Sequence, residues 1–282
     1  MNIKKWLKLN TKTLKNKTII LTGSTGVLGN EIANILGALH ANLVLADRNL
    51  EKSSKLKEEL ELRFNGIKVD TVYLDLQDLT SVRTFVNKML NYQCIDGIIH
   101  NAGVYNLPCE ENKDYNKTFT VNFISPYYIT KMLMPKIKMS SLKKVVVVGS
   151  IAYKFAKFNA KDIDYNKCFN KNKVYGNSKR FLMLSLWELF KNEKQINFVV
   201  AQPGITPTNI TRHFPKFLKF IIKLPMKIMF NSPKKSSLSV ILAMFKNVNY
   251  HEWIGPKRFN IWGYPCIKKI NNFDSEECKE IY

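Results

Sequence analysis

Short apolar runs alternate along this chain with longer stretches in which apolar residues return every three or four positions. TIILTG (18–23) is a compact β-branched run, and VLGNEIANILGAL after it has helical periodicity. ANLVLADR (41–48) reads as a second strand, LEKSSKLKEELELRF as an amphipathic helix and VDTVYLDL (69–76) as a third strand. TSVRTFVNKML again has the helical period and precedes IDGIIHNAG (95–103). VVVVGS (145–150) and INFVVAQPG (196–204) are further apolar runs that close on small or turn residues. Between them SKRFLMLSLWELF is apolar on most sides, as a helix packed beside a sheet should be. This alternation predicts an α/β fold with a parallel, doubly wound sheet. No repeat, low-complexity linker or charge block interrupts it, so a single domain is expected.

The strongest local signal follows the first strand. LTGSTGVLG sets Gly23, Gly26 and Gly29 between that strand and the first long helix. Glycines there let the backbone approach a pyrophosphate, which the helix N-terminus stabilises. Asp47 stands 18 positions after Gly29 at the end of the second strand. A carboxylate so placed accepts both ribose hydroxyls of NAD, or else is a solvated turn residue. Arg48 beside it offers a partner for the 2′-phosphate of NADP; of the two cofactors the reading favours NAD. Asp75 ends the third strand, facing either the adenine amino group or the next helix as its N-cap.

Composition narrows the partners. The chain has 282 residues and a formal net charge of +22, but its cations are 38 lysines and only 6 arginines. So few arginines argue against nucleic-acid base readout, where the guanidinium fork is the usual tool. Five cysteines without metal-ligand or paired spacing read as reduced thiols of a cytoplasmic protein. No apolar stretch reaches the length of a membrane-spanning helix, and the basic N-terminus lacks the apolar core of a secretory signal. No histidine cluster has metal-ligand spacing: His100 reads as packed beside the cofactor strand, His40 as ending a helix, and His251 as sitting in a loop.

Tyrosine and lysine four apart can share acid–base chemistry, and the pattern occurs at Tyr127/Lys131, Tyr153/Lys157, Tyr175/Lys179 and Tyr264/Lys268. TGSTGVLG, LDL (74–76), HNAG (100–103), VNFIS (121–125), VVVVGS, VYGNSK (174–179) and QPGITPT (202–208), taken in order, resemble the short-chain dehydrogenase/reductase family. The resemblance covers about residues 17–265. The gap from Ser150 to Tyr175 and the segment YHEWIGPKRFNIWGYP look most like the retinol-dehydrogenase-like branch. It implies a Rossmann-type, three-layer α/β/α fold, a nicotinamide cofactor and an Asn–Ser–Tyr–Lys tetrad on Asn122, Ser150, Tyr175 and Lys179. Cofactor contacts would come from Gly23, Ser24, Thr25, Gly26, Leu28 and Gly29 in the loop. Asp75 and Leu76 follow from LDL, and Asn101, Ala102 and Gly103 from HNAG. Pro203, Gly204 and Thr208 would face the carboxamide side, with Ile205 either a backbone contact or only a turn.

Helix context separates the four pairs, since i and i+4 meet only on a helix. Tyr264 lies between Gly263 and Pro265 and reads as turn. Tyr153 falls in a loop, and Tyr127 shares a helix with Asn122 but has no serine partner. Tyr175 begins a strong helix after the strand bearing Ser150. In the family's mechanism Tyr175 exchanges the proton, Ser150 holds the substrate oxygen, Lys179 bonds the nicotinamide ribose and Asn122 orders a water. One departure stands out: Val27 occupies a position where classical members carry glycine, and the Gly26 spacing is that of the extended, epimerase-like branch.

The segments expected are a basic extension (1–16), a catalytic domain (17–265) with a lid near 205–235, and a tail (266–282). Within the lid, 212–230 sets Lys216, Lys219, Lys223 and Lys227 at helical spacing among apolar residues. It reads as an ordinary substrate lid or as a peripheral contact with an anionic membrane. Either way a small lipophilic alcohol or carbonyl substrate is expected, and a homo-oligomer is compatible with the sequence. A nucleotide-sugar epimerase and a non-catalytic, membrane-associated nucleotide-binding scaffold are the competing readings.

Overall fold

The computed structural model describes residues 2–105, 107, 116–156, 170–204 and 231–270. The strands are β1 (Thr18–Thr22), β2 (Asn42–Asp47), β3 (Val69–Tyr73), β4 (Gly97–His100), β5 (Lys144–Val148), β6 (Asn197–Ala201), β7 (Glu252–Arg258) and β8 (Trp262–Lys269). They form one sheet in the order β3-β2-β1-β4-β5-β6-β7-β8, parallel up to β7 and antiparallel between β7 and β8. The helices are α1 (Ile3–Asn10), α2 (Val27–Ala38), α3 (Leu50–Arg63), α4 (Leu79–Leu90), a short α5 (Lys117–Phe119), α6 (Ser125–Lys138), α7 (Lys171–Lys191) and α8 (Pro233–Phe245).

Continuous apolar strands need cover on both faces, and the helices provide it. On one face Phe85 of α4, Leu133 of α6 and Leu184 of α7 pack with Val145 and Val147. On the other, Trp6 of α1, Leu36 of α2, Leu60 of α3 and Leu242 of α8 pack with Val146 and Ile254. The sheet is therefore the middle of three layers, as the alternation of elements predicts.

The strand order reverses at β1, which pairs with β2 on one side and β4 on the other. In open parallel sheets the crevice at the carboxyl ends of such strands is where ligands bind. The chain reaches it through Gly23 after β1, Arg48 after β2, Leu74 after β3 and Asn101 after β4.

Four of these elements were not foreseen. EWIGPKR and WGYPCIKK, which both contain glycine and proline, are β7 and β8. Pro256 and Pro265 stand opposite one another, beside a register shift, in the outermost pair of the sheet, where a missing N–H is tolerated. Tyr264 is thus in a strand rather than the expected turn. α1 and α8 also went unpredicted; Trp6 of α1 is buried and stacks on Tyr264 with ring centroids 6.0 Å apart.

Candidate active site

The loop after β1 is built by close backbone approach. Gly23 has φ +69°, and a Cβ added at Gly29 would sit 2.1 Å from the Gly23 carbonyl oxygen and 2.9 Å from Asn101 Nδ2. No side chain fits there. At Gly26 the same construction meets only the Gly23 carbonyl at 3.4 Å, an ordinary contact. Val27 turns outward and lines the cleft. The atypical spacing is thereby accommodated: two glycines are required by packing, and Val27 occupies open space.

Gly26 is the N-cap of α2, without a side-chain cap and with no acidic residue in the first turn. The first backbone N–H groups of this helix are left for another acceptor. They open on a cleft of about 750 Å³ whose lining includes Gly23, Thr25, Gly26, Leu28 and Gly29 at one wall and Asp75 and Leu76 at another. Asn101, Ala102 and Gly103 line its floor toward β4. Asn101 Nδ2 donates to the carbonyls of Thr22 and Gly23, both at 3.0 Å, and the Thr22 hydroxyl accepts from the N–H groups of Asn101 and Ala102. HNAG thus clamps the ends of β1 and β4 together.

Asp47 lines the same cleft. Its buried carboxylate accepts hydrogen bonds from the hydroxyls of Ser24, Thr25 and Ser53 and from the Thr25 N–H. Its lone pairs are committed to holding the glycine loop. Ser24, fully buried in this network, supports the loop from behind. Arg48 and Lys52 are exposed and line the same end of the cleft. Asp75 accepts from the Gln77 N–H at 3.0 Å and is not an N-cap; Asp78 caps α4.

At the far end the cleft reaches Gly103, Val104 and Val121. Here a Cβ on Gly103 would come within 3.2 Å of Lys179 Nζ and 3.3 Å of Asn122 Oδ1. Asn122 lies in a π-helical turn, Thr120–Ile124, between α5 and α6, an irregularity that recurs at functional sites. Its Oδ1 accepts from the Val104 N–H at 2.9 Å; its Nδ2 donates to the Val104 carbonyl at 2.9 Å and to Ser178 Oγ at 3.0 Å. Both donors are used, and the side chain ties the β4 loop to α7.

Ser150 follows β5 and caps a 3₁₀ turn, Ile151–Phe155, accepting from the Ala152 N–H. α7 begins four residues ahead of Tyr175 because Asn170 caps it, accepting from the N–H groups of Asn172 and Lys173. Tyr175 is therefore held inside a formed helix. Burial pushes its phenol above the ordinary tyrosine range, the hydrogen bond with Ser150 works in the opposite direction, and Tyr105 nearby raises it further. Lys179 Nζ donates to the Val148 carbonyl at 3.0 Å, and burial lowers its pKa to about 8. The sequence thus anticipated the gathering of Asn122, Tyr175 and Lys179 but missed Ser178. Its hydroxyl donates to the Tyr175 carbonyl at 2.8 Å, and the three-residue spacing within VYGNSK was the available signal.

His100 closes the floor. Thr130 gives its hydroxyl hydrogen to the Pro126 carbonyl, so His100 Nε2, 2.8 Å from Thr130 Oγ1, must carry the ring's proton. Burial first, and the Lys179 charge second, push its pKa down to about 3. The ring stays neutral beside Lys179.

The other tyrosine–lysine pairs have structural uses. Lys131 Nζ lies 5.9 Å from the centre of the Tyr127 ring. Tyr153 is buried with its ring edge-on to Trp253 at 5.5 Å, and its phenol is pushed up to about 12, chiefly by burial. Pro203 and Gly204 follow β6, with Gly204 backed against the Ile261 carbonyl. Ile205, Thr208, His213, Lys157 and the basic segment 212–230 lie outside the described residues. Among the described residues no group of side chains could hold a metal ion, and no helix is long and apolar enough to cross a membrane.

Residues 17–218 match the family model of the short chain dehydrogenases. The chain belongs to the short-chain dehydrogenase family. Retinol dehydrogenase 14 of Mus musculus is 29% identical over 253 residues, covering 83% of this chain and 75% of the relative, and the Homo sapiens protein of that name is 30% identical over 250 residues, covering 82% and 74%. Polyprenol dehydrogenase of Homo sapiens is 25% identical over 238 residues, covering 81% of this chain and 72% of the relative. Among solved structures, an uncharacterized protein from Mycobacterium paratuberculosis superimposes with TM-score 0.76 at 20% identity, covering 97% of this chain and 93% of that one.

This short-chain dehydrogenase is accordingly an NAD(P)-dependent oxidoreductase acting on CH–OH groups, of the retinol-dehydrogenase-like branch. The cleft fits the cofactor. Its volume is that of a small-molecule site, the α2 N-terminus presents uncapped N–H groups for a pyrophosphate, and Gly29 leaves room for the backbone to approach it.

Proposed function

We propose that this short-chain dehydrogenase interconverts a hydroxyl and a carbonyl group on a small lipophilic substrate, with Tyr175 exchanging the proton. The carrying observation is that Tyr175 stands one helical turn before Lys179 on α7, with Ser150 beside it, at the end of the cleft where Gly103 abuts Lys179. A nicotinamide cofactor, when bound, takes the hydride from the carbinol carbon or returns it. In oxidation the substrate hydroxyl gives its proton to Tyr175 as the C–H bond breaks; in reduction Tyr175 donates that proton to the developing alkoxide. Ser150 holds the same oxygen. The raised phenol keeps Tyr175 protonated near neutral pH, the form that reduction requires. Lys179 supplies a positive charge that favours phenolate when oxidation is run. Asn122 keeps the β4 loop and α7 in register, so that the cofactor cleft and the tyrosine share one wall.

Sequence alone favours NAD through Asp47; the site supports the opposite preference. The carboxylate is turned inward onto Ser24, Thr25 and Ser53, whereas the exposed Arg48 and Lys52 flank the region beyond β2 where a ribose 2′-phosphate would lie. We therefore read the cofactor as NADP. The names of the relatives, retinol and polyprenol dehydrogenases, favour an apolar alcohol. The basic segment 212–230 and the lysines of α1 favour a protein that works at an anionic membrane surface.

The test is a screen of lipophilic alcohols and carbonyls with both cofactors, following nicotinamide absorbance, on the wild type and Tyr175→Phe. The variant is expected to bind cofactor with unchanged affinity and to lose at least about a thousandfold in turnover. Undiminished turnover in Tyr175→Phe would remove Tyr175 from the chemistry.

A further inference from the structure

Tyr105 stands two residues beyond Gly103 and has no role in the proton path. Its ring meets that of Tyr175 edge-on, with centroids 5.1 Å apart and planes at 78°. Its hydroxyl donates to Asn172 Oδ1 in the first turn of α7. Yet 40% of its surface is exposed, which makes it one of the few large aromatic side chains left open. A tyrosine whose hydroxyl hydrogen is already bound presents mainly its ring to its surroundings.

The backbone beneath is equally fixed. Val104 is held by both its N–H and its carbonyl on Asn122, so the residue next to it has little freedom to swing away. Tyr105 is pinned from three directions: through Val104, through Asn172 and against Tyr175. Behind Tyr175, Val174 joins Phe119 and Phe181 in a buried apolar cluster, while the Tyr105 ring beside Tyr175 stays partly exposed.

We propose that Tyr105 is a specificity-determining residue: its ring forms a fixed wall beside Tyr175 that carries the flat apolar arm of an allylic or aryl-conjugated alcohol or aldehyde. Such an arm lies against an aromatic face at no cost in polar groups. A polyol gains little from the ring face, which offers it no hydrogen-bond donor, and is disfavoured there. The inference rests on Tyr175 being the proton-exchanging residue and adds to it the side of the substrate that this chain reads.

The experiment compares two alcohols with the same allylic carbinol and different arms, cinnamyl alcohol and 3-methyl-2-buten-1-ol, on the wild type, Tyr105→Phe and Tyr105→Ala. The ratio of kcat/KM for cinnamyl alcohol to that for the short alcohol is expected to fall about tenfold in Tyr105→Ala and to stay within about twofold of wild type in Tyr105→Phe. A ratio unchanged in Tyr105→Ala, or lowered as far in Tyr105→Phe, overturns the wall. Calorimetric binding of cinnamaldehyde to the NADP-loaded protein reads the same contact without turnover: Kd should rise about tenfold in Tyr105→Ala, and an unchanged Kd overturns the proposal. Undiminished turnover in Tyr175→Phe identifies failure of the underlying assignment instead.

Discussion

Asn122 Nδ2 lies 3.0 Å from Ser178 Oγ, and Ser178 donates to the carbonyl of Tyr175. The side chain that pins the loop after β4 is thereby joined to the helix carrying the tyrosine. Ser178→Ala leaves a buried amide donor unpaired, at a cost of about 1–3 kcal/mol. Denaturant unfolding should show that loss, and kcat should fall severalfold while cofactor affinity is kept. A Ser178→Ala protein with wild-type kcat would show that the link does not position Tyr175.

The glycine loop yields a contrast between neighbouring positions. Gly29→Ala pushes a methyl group into the Gly23 carbonyl and should abolish cofactor binding or folding. Gly26→Ala meets only an ordinary contact and should retain most of both. Cofactor titration by fluorescence and thermal unfolding of the two variants measure this directly; equal damage at both would contradict the packing.

Cofactor choice is tested at β2. Arg48→Gln should raise KM for NADP by about tenfold or more and leave KM for NAD nearly unchanged, since it removes a phosphate partner. Asp47→Asn, by contrast, disturbs the loop that both cofactors share and should weaken both while lowering the melting temperature. A selective loss of NAD in Asp47→Asn would restore that carboxylate as the ribose ligand.

The acid–base limbs follow from burial. Lys179, with its pKa lowered to about 8, is charged below that value and neutral above it. Carbonyl reduction, which uses the ammonium and the protonated phenol, should therefore be level at lower pH and decline as pH rises through about 8. Tyr175 contributes no earlier loss, because its phenol is shifted upward. His100, pushed to about 3, should add no inflection in the ordinary histidine range. A pH profile of kcat/KM for reduction checks all three signs, and a limb near neutrality that disappears in His100→Asn would show the ring titrating after all.

Much of this was legible in the sequence because it depended on local pattern. Six strands and the glycine loop follow from periodicity and spacing, and the grouping of Asn122, Tyr175 and Lys179 from the family resemblance. What escaped was set by tertiary pairing. β7 and β8, each with a glycine and a proline, do not read as strands until Pro256 and Pro265 are seen facing each other at the outer end of the sheet. Asp47 looks like a ribose ligand until three hydroxyls converge on it from Ser24, Thr25 and Ser53, one of them six residues further on in a different element. Val27, an anomaly by motif, becomes ordinary once Gly29 is seen against Gly23. Hydrogen-bond destinations, unlike strands, have no period to read.

The stacking of Trp6 on Tyr264 carries a consequence in time. The two rings are 258 positions apart, and a ribosome adding roughly 5–20 residues per second needs about 13–50 s to travel between them. Throughout that interval the indole that will be buried has no tyrosine to meet, and for most of it α8, which also packs against α1, is unmade as well. The first helix of this enzyme must therefore wait, exposed, for the last strand. A chaperone that holds nascent amphipathic helices would find a target in α1.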